Sequence, residues 1–437
     1  MRRSFEMPAV LLGPGLRASA MARVVTIATL ASVAMLSGCG GGGGGTTSAA
    51  PSGISITAMP LAQRVVEGQQ VSLSVAATSA LPLSYRWQRN GSDIAGATSP
   101  TYTTPQLTAA ADDNAAYSVV ISNGQETQSA GASIRVFSTL DIASPALTVV
   151  PANTPDAAID TSFGDAYIYL SPTVTPKGKL FVFLPASGGN PSIYRRIQAA
   201  AANNGFHTIG LSYPNADVVA LLCQGVGSGC QGPVREETLS GDDASPLVNV
   251  NRANSVENRL LKTLRYLNAQ FPADGWGRYI DANGEIAWRL IRVSGHSQGG
   301  GLAGYIGTKR SVDRVCTFSS PADFAQGRPA DWLFAPSLTA SARFYGFGHH
   351  RDTIVPWSNL QEIWAALQLN QFGAVAEVDA ASAPYAGSHM FGTNLDVPAS
   401  SSAGAGFHSM TVSDLATPLD AAGLPVYRNV WQTACFL

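Results

Sequence analysis

Charge is what this sequence has least of. Only 13% of its 437 residues are charged and the formal net charge is −2. No basic run extends beyond Arg2-Arg3, which excludes the electrostatic footprint of a nucleic-acid-binding protein. Cysteine is scarce too: there are five, none at the spacing of a metal site, so no metal is expected. Histidine occupies six positions, so acid–base chemistry has few residues to draw on. No long internal repeat is present. The apolar run near the N-terminus is about a dozen residues long, too short and wrongly flanked for a spanning helix. What is abundant is apolar material, 45% of the chain. It suffices for large buried cores, and the length points to two or three domains.

From Met21 the chain reads "MARVVTIATLASVAMLSGC", a basic residue, an apolar stretch and then Leu36-Ser37-Gly38-Cys39. This resembles a bacterial lipoprotein signal. The resemblance implies that residues 1–38 are a signal peptide and that Cys39 is the lipidated first residue of the mature chain. An ordinary cleaved secretory signal is the alternative. Residues 39–53, a glycine run followed by "TTSAAPSG", form a flexible linker. Gly40 is not the Asp that commonly retains such proteins in the inner membrane. The expected location is therefore the outer membrane or cell envelope through the lipid alone, or secretion if the lipid is absent. In an exported chain disulfides persist. Proximity pairs Cys223 with Cys230 and leaves Cys316 for Cys435, with two free buried thiols as the alternative for the second pair.

Residues 54–137 alternate in β fashion: "QQVSLSVAA", then "LSYRWQRNG", then "AAYSVVISNG" closed by Asn-Gly. Short strands separated by turn signals at this spacing argue a β-sandwich. The stretch resembles bacterial immunoglobulin-like domains, with Trp87 as the core tryptophan and Tyr117 in "DDNAAYSV" as the tyrosine corner. Val75 and Val119 stand at the two positions of the usual inter-sheet disulfide, so apolar packing must replace it. A spacer role is expected, or binding of a glycan or other surface ligand.

Residues 138–437 alternate between apolar strands and helical stretches. "KLFVFLPA", "FHTIGLSYP", "WRLIRVSG", "RVCTFSS", "ARFYGFG" and "AVAEVDA" read as strands, while "IYRRIQAAAANNG" and "NSVENRLLKTLRYLNAQFP" read as helices. Such alternation predicts a mostly parallel sheet with helices on both faces. The stretch from about Tyr213 to Ala253 lacks periodicity and reads as a long loop, with Arg235, Glu236, Asp242 and Asp243 as solvated surface charges. Within "LIRVSGHSQGGGLAG" three consecutive glycines stand where a helix should begin, although each costs about 1 kcal/mol relative to Ala in a helix. Gly295-His296-Ser297-Gln298-Gly299 answers that: it is the nucleophile-elbow pattern, in which a strained strand-to-helix turn presents a serine and neighbouring backbones approach too closely for side chains.

The elbow, the phrase "RDTIVPW", the histidine phrases "GSHMFGTN" and "GFHSM", and "VREETLSGDD" together resemble the α/β-hydrolase superfamily, in particular exported bacterial esterase- or lipase-like enzymes, over Leu147 to Leu437. The resemblance implies an α/β-hydrolase fold and a nucleophile–acid–base order along the chain. Ser297 is the expected nucleophile and Asp352 the acid, with Asp323 second. His389, whose phrase is similar to that of cutinases, is the preferred base, and His408 the other candidate. The amides of Gln298 and Ser187 are the expected oxyanion hole, and no cofactor or metal is implied. The expected activity is hydrolysis of carboxylic esters, small or polymeric. Acyl transfer by the same residues, or a surface-binding lipoprotein with an inactive hydrolase domain, are the alternatives.

Overall fold

The computed structural model describes residues 53–137, 145–161, 163–398 and 406–437. The signal sequence and Cys39 lie outside the described residues.

Residues 54–137 are immunoglobulin-like. A five-stranded sheet pairs Gln63–Val66, Thr127–Phe137, Ala115–Ser122, Ser84–Arg89 and Ser92–Asp93 in that order. Two short ladders complete it, Ser55–Ala58 with Ala76–Thr78 and Ser72–Ser74 with Thr101–Thr103. Every second residue of Ala115–Ser122 is buried, so one face of this strand supplies core while the other stays wetter. Trp87 is fully buried and its indole N–H donates to the Ser99 carbonyl at 2.9 Å. Tyr117, Val75 and Val119 pack in the same cluster. Contact between apolar side chains thus holds the sandwich where a disulfide would otherwise do so.

The remaining described residues centre on one nine-stranded sheet. Its strands are β1 (Ala146–Val150), β2 (Ala166–Leu170), β3 (Leu180–Leu184), β4 (His207–Gly210), β5 (Ile291–His296), β6 (Arg314–Phe318), β7 (Phe344–His349), β8 (Ala376–Glu377) and β9 (Met390–Thr393). The spatial order is β1-β2-β4-β3-β5-β6-β7-β9-β8. β1 pairs antiparallel with β2, and β2 antiparallel with β4; the other pairings are parallel.

The expected α/β-hydrolase fold class is corrected by this architecture. The described chain is built on β-sheet: a nine-stranded mixed sheet, a five-stranded sheet with one parallel pair and three two-stranded antiparallel ladders, with few helices. Only five α-helices exceed four residues among the described residues: α1 (Arg195–Asn203), α2 (Gln231–Ser240), α3 (Val256–Gln270), α4 (Gln298–Lys309) and α5 (Trp357–Ala366). Much of the connecting chain, in a sequence with 44 Gly and 26 Pro, folds into single 3-10 turns and loops because these residues interrupt regular helices.

The strands position the site. β3 is buried along its whole length, and its alternate residues feed two different apolar clusters. Leu180, Val182 and Leu184 join one with Leu260, Leu264, Leu302 and Trp364, whereas Phe181 and Phe183 join another with Tyr194, Phe318, Trp431 and Phe436. Both faces of the sheet are therefore covered. α3 begins where Ser255 accepts the Asn258 amide at 3.2 Å, an N-cap. The disulfides are Cys223–Cys230 and Cys316–Cys435. The second ties β6 to the C-terminal helical turn, whose carbonyl groups take Arg292, Arg314 and Lys177 as donors, an arrangement suited to a helix end.

The Cys316–Cys435 bridge closes a loop of 119 residues, which in the chain-entropy description stabilises the fold by roughly 4–5 kcal/mol. Replacing both cysteines with serine should lower the urea stability of this part by that order, followed by tryptophan fluorescence. A change within about 1 kcal/mol would contradict the assignment.

Candidate active site

Ser297 sits at φ 52° and ψ −119° between β5 and α4, a backbone conformation that non-glycine residues rarely adopt and that stores strain. Its amide donates to the Phe318 carbonyl at 2.9 Å, and its carbonyl accepts from Gly301 at 2.9 Å, so strand and helix hold the turn from both sides. The glycines follow from close approach. A Cβ at Gly295 would overlap the backbone of Gly299, and one at Gly299 would overlap the carbonyl oxygens of Leu184 and Pro185. One at Gly300 would overlap the Ser320 hydroxyl. The first turn of α4 lies directly on β3, with its amide end toward the ends of the strands.

Ser187, Ser297 and Asp352 follow β3, β5 and β7, all at the carboxyl end of the parallel strands. Asp352 is buried. One carboxylate oxygen accepts the amides of Ile354 at 2.8 Å and Val355 at 3.0 Å, and the other accepts His408 Nδ1–H at 2.7 Å. That contact fixes the His408 tautomer and leaves Nε2 as its other nitrogen. Neither His408 Nε2 nor the Ser297 hydroxyl has a hydrogen-bond partner among the described residues. The His408 ring lies 4.9 Å, centroid to centroid, from that of His296, the residue before Ser297.

The loop after β3 is held at almost every backbone group. Tyr213 donates to the Pro185 carbonyl at 2.9 Å. The Asn215 amide group donates to the Ala186 and Gly189 carbonyls at 2.8 and 2.9 Å, and the Gly188 amide donates to the Asn215 carbonyl at 3.0 Å. Gln298 fixes the loop to the elbow: its side-chain oxygen accepts the Ser187 hydroxyl at 2.6 Å and the Val219 amide at 3.3 Å, and its amide group donates to the Asp217 carbonyl at 2.9 Å. The backbone amides of Ser187 and Gln298 donate to no acceptor among the described residues. Two fixed donors near a serine are what an anionic intermediate requires.

The preferred base is corrected. The structure brings Asp352 to His408 and holds His389 elsewhere. His389 immediately precedes β9 and so lies at the amino end of the parallel strands, opposite Ser297 and Asp352. It is stacked between Tyr345 and Phe372, each 4.0 Å away between ring centroids, and its Nδ1–H donates to the Phe344 carbonyl at 3.0 Å. Burial first, then the Arg314 charge, pushes it down to about 4.

Asp323, the second acid candidate, is also elsewhere. It forms a buried, two-pronged ion pair with Arg235 and accepts the Trp332 indole N–H at 2.7 Å. Arg235 is thus not a surface charge; it is 2% exposed and also donates to the Gln298 carbonyl at 3.1 Å. Glu236 accepts the Tyr305 hydroxyl at 2.8 Å, while Asp242 and Asp243 are exposed as expected. The supposed long loop contains helix α2. Its buried residues include both Arg235 and Glu237, the latter accepting the amides of Ala244, Ser245 and Val250. These inward-facing charges hid the helical apolar stripe. The sequence pattern assigns no role to His296 beyond its place in the elbow, and none to Tyr194, Tyr213 and Asn215, which carry no motif.

No protein-family model and no curated protein matches the chain. Solved structures similar to it include titin M4 in its trigonal form, 22% identical, covering 19% of this chain and 95% of that one, with a TM-score of 0.18. A titin M10–obscurin-like 1 Ig F17R mutant complex matches at 16% identity over 20% of this chain and 93% of that one, TM-score 0.18. A C. elegans twitchin kinase fragment with immunoglobulin domains matches at 16% identity over 20% and 22%, TM-score 0.19. None of these is an α/β-hydrolase.

Two predictions follow from the buried charges. Arg235→Met leaves Asp323 buried and unpaired and should destabilise the chain by about 3–5 kcal/mol in chemical denaturation. For pH, His389 and His296 have folded values lowered from 6.5 to about 4 and about 3, both mainly by burial. The unfolded chain therefore binds protons first as pH falls, so the stability these groups contribute is full above about 6.5 and is lost toward 4. Melting temperature should fall over that window, and fall less in His389→Phe; an identical pH dependence in the two would refute the assignment.

Proposed function

We propose that this chain is a serine hydrolase of carboxylic esters in which Ser297 is the nucleophile, His408 the base and Asp352 the acid. The observation that carries the reading is the buried 2.7 Å contact between Asp352 and His408 at the strand end that also bears the strained Ser297 turn. His408 Nε2 takes the Ser297 proton as Oγ attacks the ester carbonyl. The tetrahedral oxyanion is met by the amides of Gln298 and Ser187, each worth on the order of 3 kcal/mol in the transition state. The imidazolium, stabilised by Asp352, returns the proton to the leaving alcohol. Water, deprotonated by His408, then attacks the acyl-enzyme, and the acid product leaves with Ser297 restored. Free-enzyme geometry between a serine and its histidine is commonly loose and tightens when substrate binds.

The rest of the proposed organisation has residues 1–38 as an export signal, Cys39 as a lipid anchor to the outer membrane or envelope, and residues 39–53 as a tether. Residues 54–137 are a spacer or surface-ligand module, and residues 138–437 the catalytic part. Apolar composition and the "LSGC" phrase support the anchor.

A fluorophosphonate tests the mechanism on protein lacking residues 1–38. Labelling should map to Ser297, vanish in Ser297→Ala, fall at least about 100-fold in rate in His408→Ala, and persist in His389→Phe. A folded parent that is not labelled, or a His408→Ala variant labelled at the parental rate, would refute it.

A further inference from the structure

A chain of four hydrogen-bonding groups runs beneath the site and joins its two halves. The Ala186 amide, in the loop that carries Ser187, donates to the Tyr194 hydroxyl at 3.3 Å. That hydroxyl and His296 Nδ1 are 2.9 Å apart, and His296 Nε2 and the backbone carbonyl of His408 are also 2.9 Å apart. A carbonyl only accepts, so Nε2 carries the proton and Nδ1 accepts from Tyr194. The His408 carbonyl takes a second donor, the Ser319 hydroxyl at 2.7 Å, and Ser319 lies 3.3 Å from the Thr411 hydroxyl.

His408 needs such external bonds. It sits on a helix of only four residues, Gly406–Ser409, far too short to hold its own shape. We infer that His296 is a positioning residue for His408: set by Tyr194, its ring fixes the His408 backbone and so the angle at which the His408 ring meets Asp352 and faces Ser297. The inference rests on the triad proposed above. A merely buried histidine would need its two nitrogens satisfied, but not by a tyrosine that also holds the Ser187 loop on one side and by the backbone carbonyl of His408 on the other. Burial, followed by the nearby His408 charge, also pushes His296 down to about 3. His296 therefore stays neutral where its tilted ring lies beside that of His408.

The test uses Tyr194→Phe, His296→Gln and His296→Leu, each checked by circular dichroism and melting temperature. Phe at 194 keeps the ring that packs on Phe183 at 4.7 Å and removes only the hydroxyl. Gln at 296 retains a donor for the His408 carbonyl. Two quantities are read: the fluorophosphonate labelling rate at Ser297, and the low-field proton resonance of His408 Nδ1–H against Asp352. His296→Leu should slow labelling on the order of 100-fold and shift or broaden the resonance, since small misplacements of reacting groups have effects of that size. Tyr194→Phe should slow it by about 10-fold, and His296→Gln should recover most of the rate lost in His296→Leu. An unchanged resonance in folded His296→Leu would overturn the inference whatever the labelling does. If the parent is not labelled but its resonance is lost in His296→Leu, the hydrolase reading fails and the positioning role stands.

Discussion

The site depends on one steric constraint: the start of α4 lies so close to β3 and β5 that Gly295, Gly299 and Gly300 have no room for a Cβ. This contact makes the chain turn within a single residue, and Ser297 takes the strained conformation because the residues around it cannot move apart. It also sets the Gln298 amide beside the loop of Ser187, since that loop begins at the carbonyls against which Gly299 rests. Loosening the contact would relax the serine and separate the two amides together. The helical penalty of the glycines is thus offset by geometry at the site rather than by any gain within the helix.

Around that contact the polar groups are disposed in pairs that leave few degrees of freedom. Tyr213, Asn215 and Gln298 hold the loop after β3, and Arg235 with Asp323 braces the first turn of α4 from below. Asp352 has its oxygens taken by two amides and one imidazole. Buried polar groups so fully engaged are rigid, because any displacement leaves one of them without a partner in a dry interior. Catalysis by preorganised dipoles needs that rigidity, since groups that must reorient during reaction lose the advantage.

How much of this was legible in the sequence varied with the range of the interactions involved. The turn at Ser297 could be read from its glycines, because the cause is local. The sandwich could be read from alternation around Trp87 and Tyr117, and the cysteine pairing from proximity. The fold class could not: alternating apolar and helical stretches suggested regular helices between parallel strands throughout, but several connecting stretches fold as short 3-10 turns and β2 runs antiparallel to both of its neighbours. The histidine was misjudged for a related reason. "AVAEVDA" reads as a full strand yet contributes only Ala376–Glu377, while the four-residue β9 follows His389. Taking the wrong segment for the last long strand moved the preferred histidine to the opposite end of the sheet. α2 was lost because Arg235 and Glu237 face inward, and no single-sequence pattern predicts partners that are distant in the chain.

The valines at positions 75 and 119 have a further consequence. The immunoglobulin-like part owes nothing to oxidation, whereas the other part contains both disulfides of the described chain. Under reducing conditions residues 54–137 would therefore keep every tie they have, while the longer part that follows would lack both of its disulfides. The covalent ties of this chain therefore depend on where it is oxidised, and they bear on only one of its two parts.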